Sequence, residues 1–369
     1  MAIKIREYTD FSWDLHVKGE HKPIVAQIEL TYKCPLHCEH CCTDCYNNRA
    51  CAAKELSTRQ VKKIMDKCKS AGVVWFCFTG GDPLTRKDFA ELYLYAKKIG
   101  FITTIFSSLV SMNKTVLEIF KSSPPFAIET TLNAGTCEKY KEITGMDLFK
   151  EHVNNIKKLL KNGIPVKVKT QVTKQNISQI GKIKKLVESL GLGFRPSTMI
   201  HARLNGDTHP CRLRLDPKEA TFVNKQYGYF DDEEARQPRE KINARKLAKK
   251  PGNNKLLACA SGSSAFWITA QGKMILCSTL RTFNYDLLRN NHTVKAGFYK
   301  LNKKAHGLTF KTESKCALCE HRMTCKWCPG RAMLEKGSLE EPINYFCNLT
   351  KETLRHPAIK SCLCKRHFP

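Results

Sequence analysis

The chain has 369 residues, enough for two or three domains and a large core, so its 19 cysteines are not those of a small disulfide-stapled fold. Lys plus Arg exceed Asp plus Glu by 62 − 34 = +28, a basic balance that draws acidic partners: nucleic acid, an acidic peptide or an acidic electron donor. The odd cysteine count, a start (Met1-Ala2-Ile3-Lys4) without the apolar core of an export signal, and the lack of any apolar run of membrane-spanning length point to metal or cluster ligation in a reducing cytoplasm.

Residues 1–23 read as a polar lead-in arm. Ile24–Leu30 is β-branched and apolar, hence a strand, and it runs into Cys34-Pro35-Leu36-His37-Cys38-Glu39-His40-Cys41, a C-x3-C-x2-C loop. Ser57-Thr58-Arg59-Gln60 fits a capping box; Val61, Ile64, Met65 and Cys68 follow at helical spacing and Gly72 ends the helix. Val73–Phe78 is a continuous apolar run, as in a buried parallel strand, and it ends in Thr79-Gly80-Gly81-Asp82-Pro83. Thr85 and Asp88 open a helix with Phe89, Leu92, Tyr93 and Ala96 inward. Strands are then expected at Phe101–Phe106, Phe126–Thr131, Ile164–Val172 and Gly193–Ser197, with helices around Thr115–Lys121, Leu148–Lys161 and Ile177–Leu190.

Six strands alternating with helices imply a parallel sheet with right-handed crossovers. The fold class is α/β, a partial (β/α)6 TIM-type barrel over residues 24–205. Functional residues of such folds lie at strand C-termini, where both the cysteine loop and the Gly-Gly-Asp-Pro loop fall. Residues 206–255 read as a charged bridge, most basic over Lys241–Lys250. Residues 256–350 form a cysteine-rich domain, with a small hairpin of Phe266–Thr269 and Lys273–Leu276 around Gln271-Gly272. Residues 351–369 are a tail with Cys362 and Cys364.

Three thiols in the first loop suit either an iron–sulfur cluster with one open iron or a structural zinc knuckle. Paired C-x2-C units in the C-terminal region read as zinc sites as readily as cluster sites. Gly80 and Gly81 let backbone approach a ligand closely, and the carbonyls with the Asp82 carboxylate can accept from an ammonium. Ser107, Ser108, Thr131 and Asn133 place hydroxyls and an amide at strand ends, either for a ligand or for ordinary loop capping. Cys42, Cys45 and Cys51 are expected to be inert thiols rather than a second site.

The C-x3-C-x2-C loop together with Gly80-Gly81-Asp82-Pro83 resembles the radical S-adenosylmethionine (SAM) superfamily. The resemblance implies that Cys34, Cys38 and Cys41 bind three irons of a [4Fe–4S] cluster. SAM chelates the fourth iron, and one-electron cleavage yields a 5′-deoxyadenosyl radical. Relatives usually carry Glu at the position of Asp82, where their loop holds the methionine amino group, and an aromatic residue at that of His40. They often carry Arg where Thr144 stands. Cys259, Gly272, Cys277, the C-x2-C-x5-C-x2-C run from Cys316 to Cys328, and Cys347 resemble the SPASM domain of peptide-modifying relatives. That implies two auxiliary [4Fe–4S] clusters, three in all: one on Cys259, Cys277 and Cys328, the other on Cys316, Cys319, Cys325 and Cys347. The first is one cysteine short, so an open iron is expected unless Cys211 or a tail cysteine fills it.

The function expected from this resemblance is modification of a ribosomally made peptide, as a thioether or carbon–carbon crosslink, an oxidation or an epimerisation. A ferredoxin- or flavodoxin-type electron donor, a substrate with an acidic leader and a separate leader-binding protein are the expected partners. With 23 residues ahead of the first strand, no fused leader-binding domain is expected. A sulfatase maturase or a small-cofactor enzyme is the alternative within the superfamily. Sulfatase-maturing relatives carry an Asp base where Ser278 stands, which counts against the first. A zinc-containing nucleic-acid-binding protein is the alternative from another class. It fits the charge but predicts aromatic or Arg clusters that the chain lacks, and nucleic acid is not an expected partner.

Overall fold

The computed structural model describes residues 21–227, 254–257, 259, 261–322 and 324–355. The basic Lys241–Lys250 stretch, most of the lead-in arm, and the tail with Cys362 and Cys364 lie outside the described residues. Six parallel strands follow one another as neighbours: β1 Val25–Thr31, β2 Trp75–Gly80, β3 Ile102–Phe106, β4 Ala127–Thr131, β5 Val166–Gln171 and β6 Arg195–Ser197. The helices between them are α1 Arg49–Ala52, α2 Thr58–Ser70, α3 Phe89–Lys98, α4 Lys114–Ser122, α5 Cys137–Thr144, α6 Phe149–Lys161 and α7 Ile180–Ser189. The partial barrel read from the sequence is thus the observed α/β fold.

Local chemistry accounts for the elements. The capping box on α2 forms with both reciprocal bonds, Ser57 Oγ to the Gln60 N–H and Gln60 Oε1 to the Ser57 N–H. Alternation along β1 sends Ala26, Ile28 and Leu30 into a core shared with Val61, Ile64, Met65 and Cys68 of α2, and leaves Gln27, Glu29 and Thr31 on the opposite face. Helix α5 was not expected. Its signals are Thr136, whose side chain caps the N-terminus, and Gly145, left-handed at φ 72° after its end.

The cysteine-rich region joins this sheet. The hairpin around Gln271-Gly272 forms as β7 Ala265–Ile268 and β8 Lys273–Ile275, followed by β9 Tyr285–Asp286. Strand β7 lies parallel to β1 with Val25 opposite Ala265 and Ile28 opposite Ile268, so the full order is β6-β5-β4-β3-β2-β1-β7-β8-β9. Strand β1 is therefore paired on both edges and buried along its whole length. Helix α8 Pro217–Tyr227, at the start of the charged bridge, packs with α10 Pro329–Lys336 and α11 Asn344–Arg355 in a second core around Val223, Trp327 and Phe346. Helix α9 Val294–His306 backs the main core through Phe298 and Leu301.

Candidate cofactor site and auxiliary cysteine groups

The loop after β1 is held from three sides. Glu55 accepts from Thr31 Oγ1 at 2.9 Å and from the Tyr32 N–H at 2.7 Å. Asn47 grips the backbone of Cys34: its Oδ1 accepts the Cys34 N–H at 3.2 Å and its Nδ2 donates to the Cys34 carbonyl at 3.0 Å. The His37 N–H donates to the Thr144 carbonyl at 2.8 Å, so Thr144 supports the loop from α5. The Thr43 hydroxyl lies 3.3 Å from Cys41 Sγ.

This brings Cys34, Cys38 and Cys41 together. Burial pushes the Cys34 thiol up to about 12, and the charges of Asp82 and Cys41 add to the rise. Burial raises Cys38 well above the usual thiol range, with Cys41 and then Cys34 adding to it. Such thiols stay protonated until a cation meets them; a bound metal ion deprotonates a coordinating thiol outright. Three convergent, partly buried thiols next to a strand C-terminus fit the three protein ligands of an open cluster.

The Gly-Gly-Asp-Pro loop is zipped onto this one. The Gly81 N–H donates to the Thr31 carbonyl at 2.7 Å and the Asp82 N–H to the Lys33 carbonyl at 2.8 Å. A Cβ on Gly81 would stand 2.4 Å from Lys33 O and 2.5 Å from Tyr32 O, and one on Gly80 would stand 2.2 Å from Thr31 O. The first need for both glycines is thus contact between two protein loops. Asp82 is fully buried, and Pro83 opens the short turn that follows. The Asp82 carboxylate accepts from Leu84 N at 3.0 Å, Ser107 Oγ at 2.8 Å, Ser108 N at 3.1 Å and the Ser108 hydroxyl. Burial raises its pKa against the opposing effect of these bonds.

The other strand-end residues divide. Thr131 is exposed at the end of β4. Asn133 is buried, and its amide is committed to the protein: Oδ1 accepts the Gln171 N–H at 2.7 Å, so Nδ2 faces His40 Nε2 at 3.1 Å. Burial drops His40 to about 4, so the ring is neutral and accepts at Nε2.

The C-terminal cysteines fall into two groups. Burial raises the Cys259 thiol to about 11, and Cys277 and Cys328 add to the rise. Cys277 Sγ lies 3.3 Å from Thr279 Oγ1. Cys328 caps α10, its sulfur accepting the Arg331 N–H at 3.5 Å; burial still raises its thiol, against the opposing effect of the Arg331 charge and this bond. Separately, burial raises Cys316 to about 12, with Cys347, Cys325 and Cys319 adding to it. Cys325 Sγ accepts the Trp327 N–H at 3.4 Å. The members of each group are those that the resemblance assigns to one cluster. Among the described residues no three His, Cys, Asp or Glu side chains are close enough to share a single metal ion.

Cys211 lies against a small separate core. It packs with Cys45 against Ala202, Leu204 and Leu334, and Leu334 is six residues beyond Cys328, about 9 Å along the helix axis. Cys51 lines a cavity of about 210 Å³ with Tyr32, Tyr46 and Arg281.

Asn47, Glu55 and Arg281 were not singled out from the sequence. Arg281, in the loop after Cys277, pairs with Glu29 on β1, and Tyr32 Oη donates to Glu29 at 3.0 Å. No spacing pattern marks such partners, because their contacts are made by the tertiary fold.

Residues 28–187 match the family model described as Radical SAM superfamily. The chain carries a radical SAM domain. That superfamily is one of [4Fe–4S] clusters and SAM, and its match here covers residues 28–187. The whole fold is similar to that of Streptococcus suis SuiB bound to S-adenosylmethionine, with TM-score 0.61, 15% identity, and 90% of this chain and 77% of that chain covered. SuiB bound to its precursor peptide SuiA gives TM-score 0.63 at 16% identity, covering 90% and 77%. Native anSMEcpe with bound AdoMet and Kp18Cys peptide gives TM-score 0.66 at 15% identity, covering 93% and 99%. At these identities the likeness is one of fold. It extends past the radical SAM domain into the cysteine-rich region. No helix of the described residues is long and apolar enough to cross a membrane.

Proposed function

We propose that this radical SAM enzyme modifies a ribosomally made peptide, using a SPASM-like region over residues 256–350 with two auxiliary [4Fe–4S] clusters. The observation that carries this is the division of seven C-terminal cysteines into two groups, in a region whose strand β7 pairs directly with β1. Structures of similar fold are described with bound peptides, which supports a peptide substrate. When bound, the first cluster and SAM supply a 5′-deoxyadenosyl radical.

Cys34, Cys38 and Cys41 hold three irons, and the Asn47 clamp on Cys34 fixes the loop that presents them. Gly80, Gly81, Asp82 and Pro83 shape the wall beside SAM, and Ser107, Ser108 and Thr131 border it from the next strand ends. Asn133 acts by orienting His40. Cys316, Cys319, Cys325 and Cys347 fully ligate one auxiliary cluster. Cys259, Cys277 and Cys328 ligate the other and leave an iron open to a substrate atom unless a tail cysteine fills it; the packing of Cys211 against Ala202, Leu204 and Leu334 supports an open position. The match of residues 28–187 to the radical SAM model favours clusters over zinc, hence the enzyme over a zinc-containing nucleic-acid-binding protein. Ser278 at the place of a maturase base disfavours sulfatase maturation, and a small-cofactor substrate is the remaining alternative.

A cytoplasmic location, a ferredoxin- or flavodoxin-type donor and a separate leader-binding protein complete the reading. Anaerobic reconstitution tests it: the brown protein holds about twelve irons per chain, four per cluster. A co-expressed peptide encoded nearby loses two hydrogens by mass spectrometry if the product is a crosslink or an oxidation. A colourless, zinc-loaded protein overturns the reading.

A further inference from the structure

Asp82 stands where an acidic side chain is expected to meet the ammonium of SAM, yet its hydrogen bonding is complete within the protein. A carboxylate offers about four lone-pair positions. Oδ1 takes Ser107 Oγ and Leu84 N; Oδ2 takes Ser108 N and Ser108 Oγ. The side chain has no exposed surface.

A second observation concerns what those bonds support. Ser107 Oγ, its proton given to Asp82, accepts the Leu109 N–H at 2.9 Å. Leu109 has φ 65°, and among the described residues it is the only non-glycine with positive φ. Asn155 Nδ2 donates to the Leu109 carbonyl at 2.9 Å from the other side. A strained residue persists where its surroundings over-determine it, and such residues cluster at ligand sites. The bonds run from Asp82 through Ser107 into this turn.

We infer that Asp82 is a positioning residue: it fixes the turn from Ser107 to Leu109 against the Gly-Gly-Asp-Pro loop and does not itself pair with the SAM ammonium. This rests on the reading that these two loops border SAM. It also sets the polarity of Ser108. With its proton committed to Asp82, the Ser108 hydroxyl offers a ligand only lone pairs, so it accepts hydrogen bonds there. An ammonium brought directly to Asp82 would displace a neutral donor, and for Leu84 N or Ser108 N that leaves a backbone N–H without a partner.

The test uses the reconstituted holoprotein and two probes, SAM and its desamino analogue, in which hydrogen replaces the α-amino group. Asp82→Asn is expected to weaken both by the same factor, about tenfold for a lost buried charge-assisted bond. The electron paramagnetic resonance spectrum of the reduced, SAM-free cluster is expected to keep its g-values, while the SAM-induced change needs correspondingly more ligand. Ser107→Ala, a buried residue, is expected to weaken both probes as well, and it serves if Asp82→Asn does not fold. A penalty that vanishes with the desamino analogue means a direct ion pair and overturns the inference alone. So does unchanged SAM affinity in Ser107→Ala. A wild-type protein that holds a cluster yet binds neither probe overturns both the inference and the reading beneath it.

Discussion

The Arg281 guanidinium, from the loop after Cys277, is paired with the Glu29 carboxylate on β1, with side-chain exposures of 17% and 5%. Glu29 lies five residues before Cys34, so one ion pair ties the auxiliary region to the strand that launches the cysteine loop. Breaking a buried pair leaves a bare charge. Arg281→Met is expected to cost about 3–5 kcal/mol, whereas Glu29→Gln combined with Arg281→Met recovers much of it. Urea unfolding of the two variants checks this; equal losses in the single and double variants would refute it.

Asn47 makes two hydrogen bonds to the backbone of Cys34. Asn47→Ala removes both, at about 1 kcal/mol each. The expected result is a normally folded protein whose first cluster is lost faster to a chelator. Iron release followed by absorbance checks it, and release kinetics like wild type would count against the clamp.

His152 is fully buried; its Nε2 lies 2.7 Å from Thr130 Oγ1 and its Nδ1 3.3 Å from Tyr140 Oη. Burial lowers its pKa to about 4, below the value near 6.5 of an unfolded chain. The unfolded state therefore takes up a proton first as pH falls. The contribution is complete above pH about 6.5 and is lost as pH drops toward 4, by about 2 kcal/mol at pH 5. His152→Gln is expected to flatten this part of the stability profile, measured by urea midpoints at pH 7.5 and 5. A parallel profile would show that other groups carry the acid response.

Gly81 and Gly181 should respond oppositely to alanine. At Gly81 the new methyl meets immovable backbone of Tyr32 and Lys33, so the two loops separate and SAM binding is lost. At Gly181, exposed near the start of α7, nothing lies within 4 Å. There alanine is expected to stabilise by about 0.5 kcal/mol through reduced unfolded-state freedom. Thermal midpoints and SAM binding on the two variants check the pair.

Much of the fold was legible because its signals are local. The apolar runs at Ile24–Leu30 and Val73–Phe78, the Ser57 cap and the Gln271-Gly272 turn each rest on short-range chemistry, and the corresponding elements form. Helix α5 carried its own marks in Thr136 and Gly145, but no apolar stripe drew attention to it. The cysteine spacings were readable, and their division into two sets came from the resemblance they carry. The pairing of β7 with β1 was not, because strand partners distant in sequence are chosen by the assembled sheet. Nor was the saturation of Asp82, since Ser107 and Ser108 come to it from another strand end.

The placement of β7 has a consequence for how the chain is made. Until residue 268 leaves the ribosome, β1 has one open edge, a row of unpaired N–H and C=O groups on an apolar strand. A pairing so remote in sequence is slow to form. A fragment ending after α8 is therefore expected to self-associate through β1, which the C-terminal half prevents by covering that edge with β7.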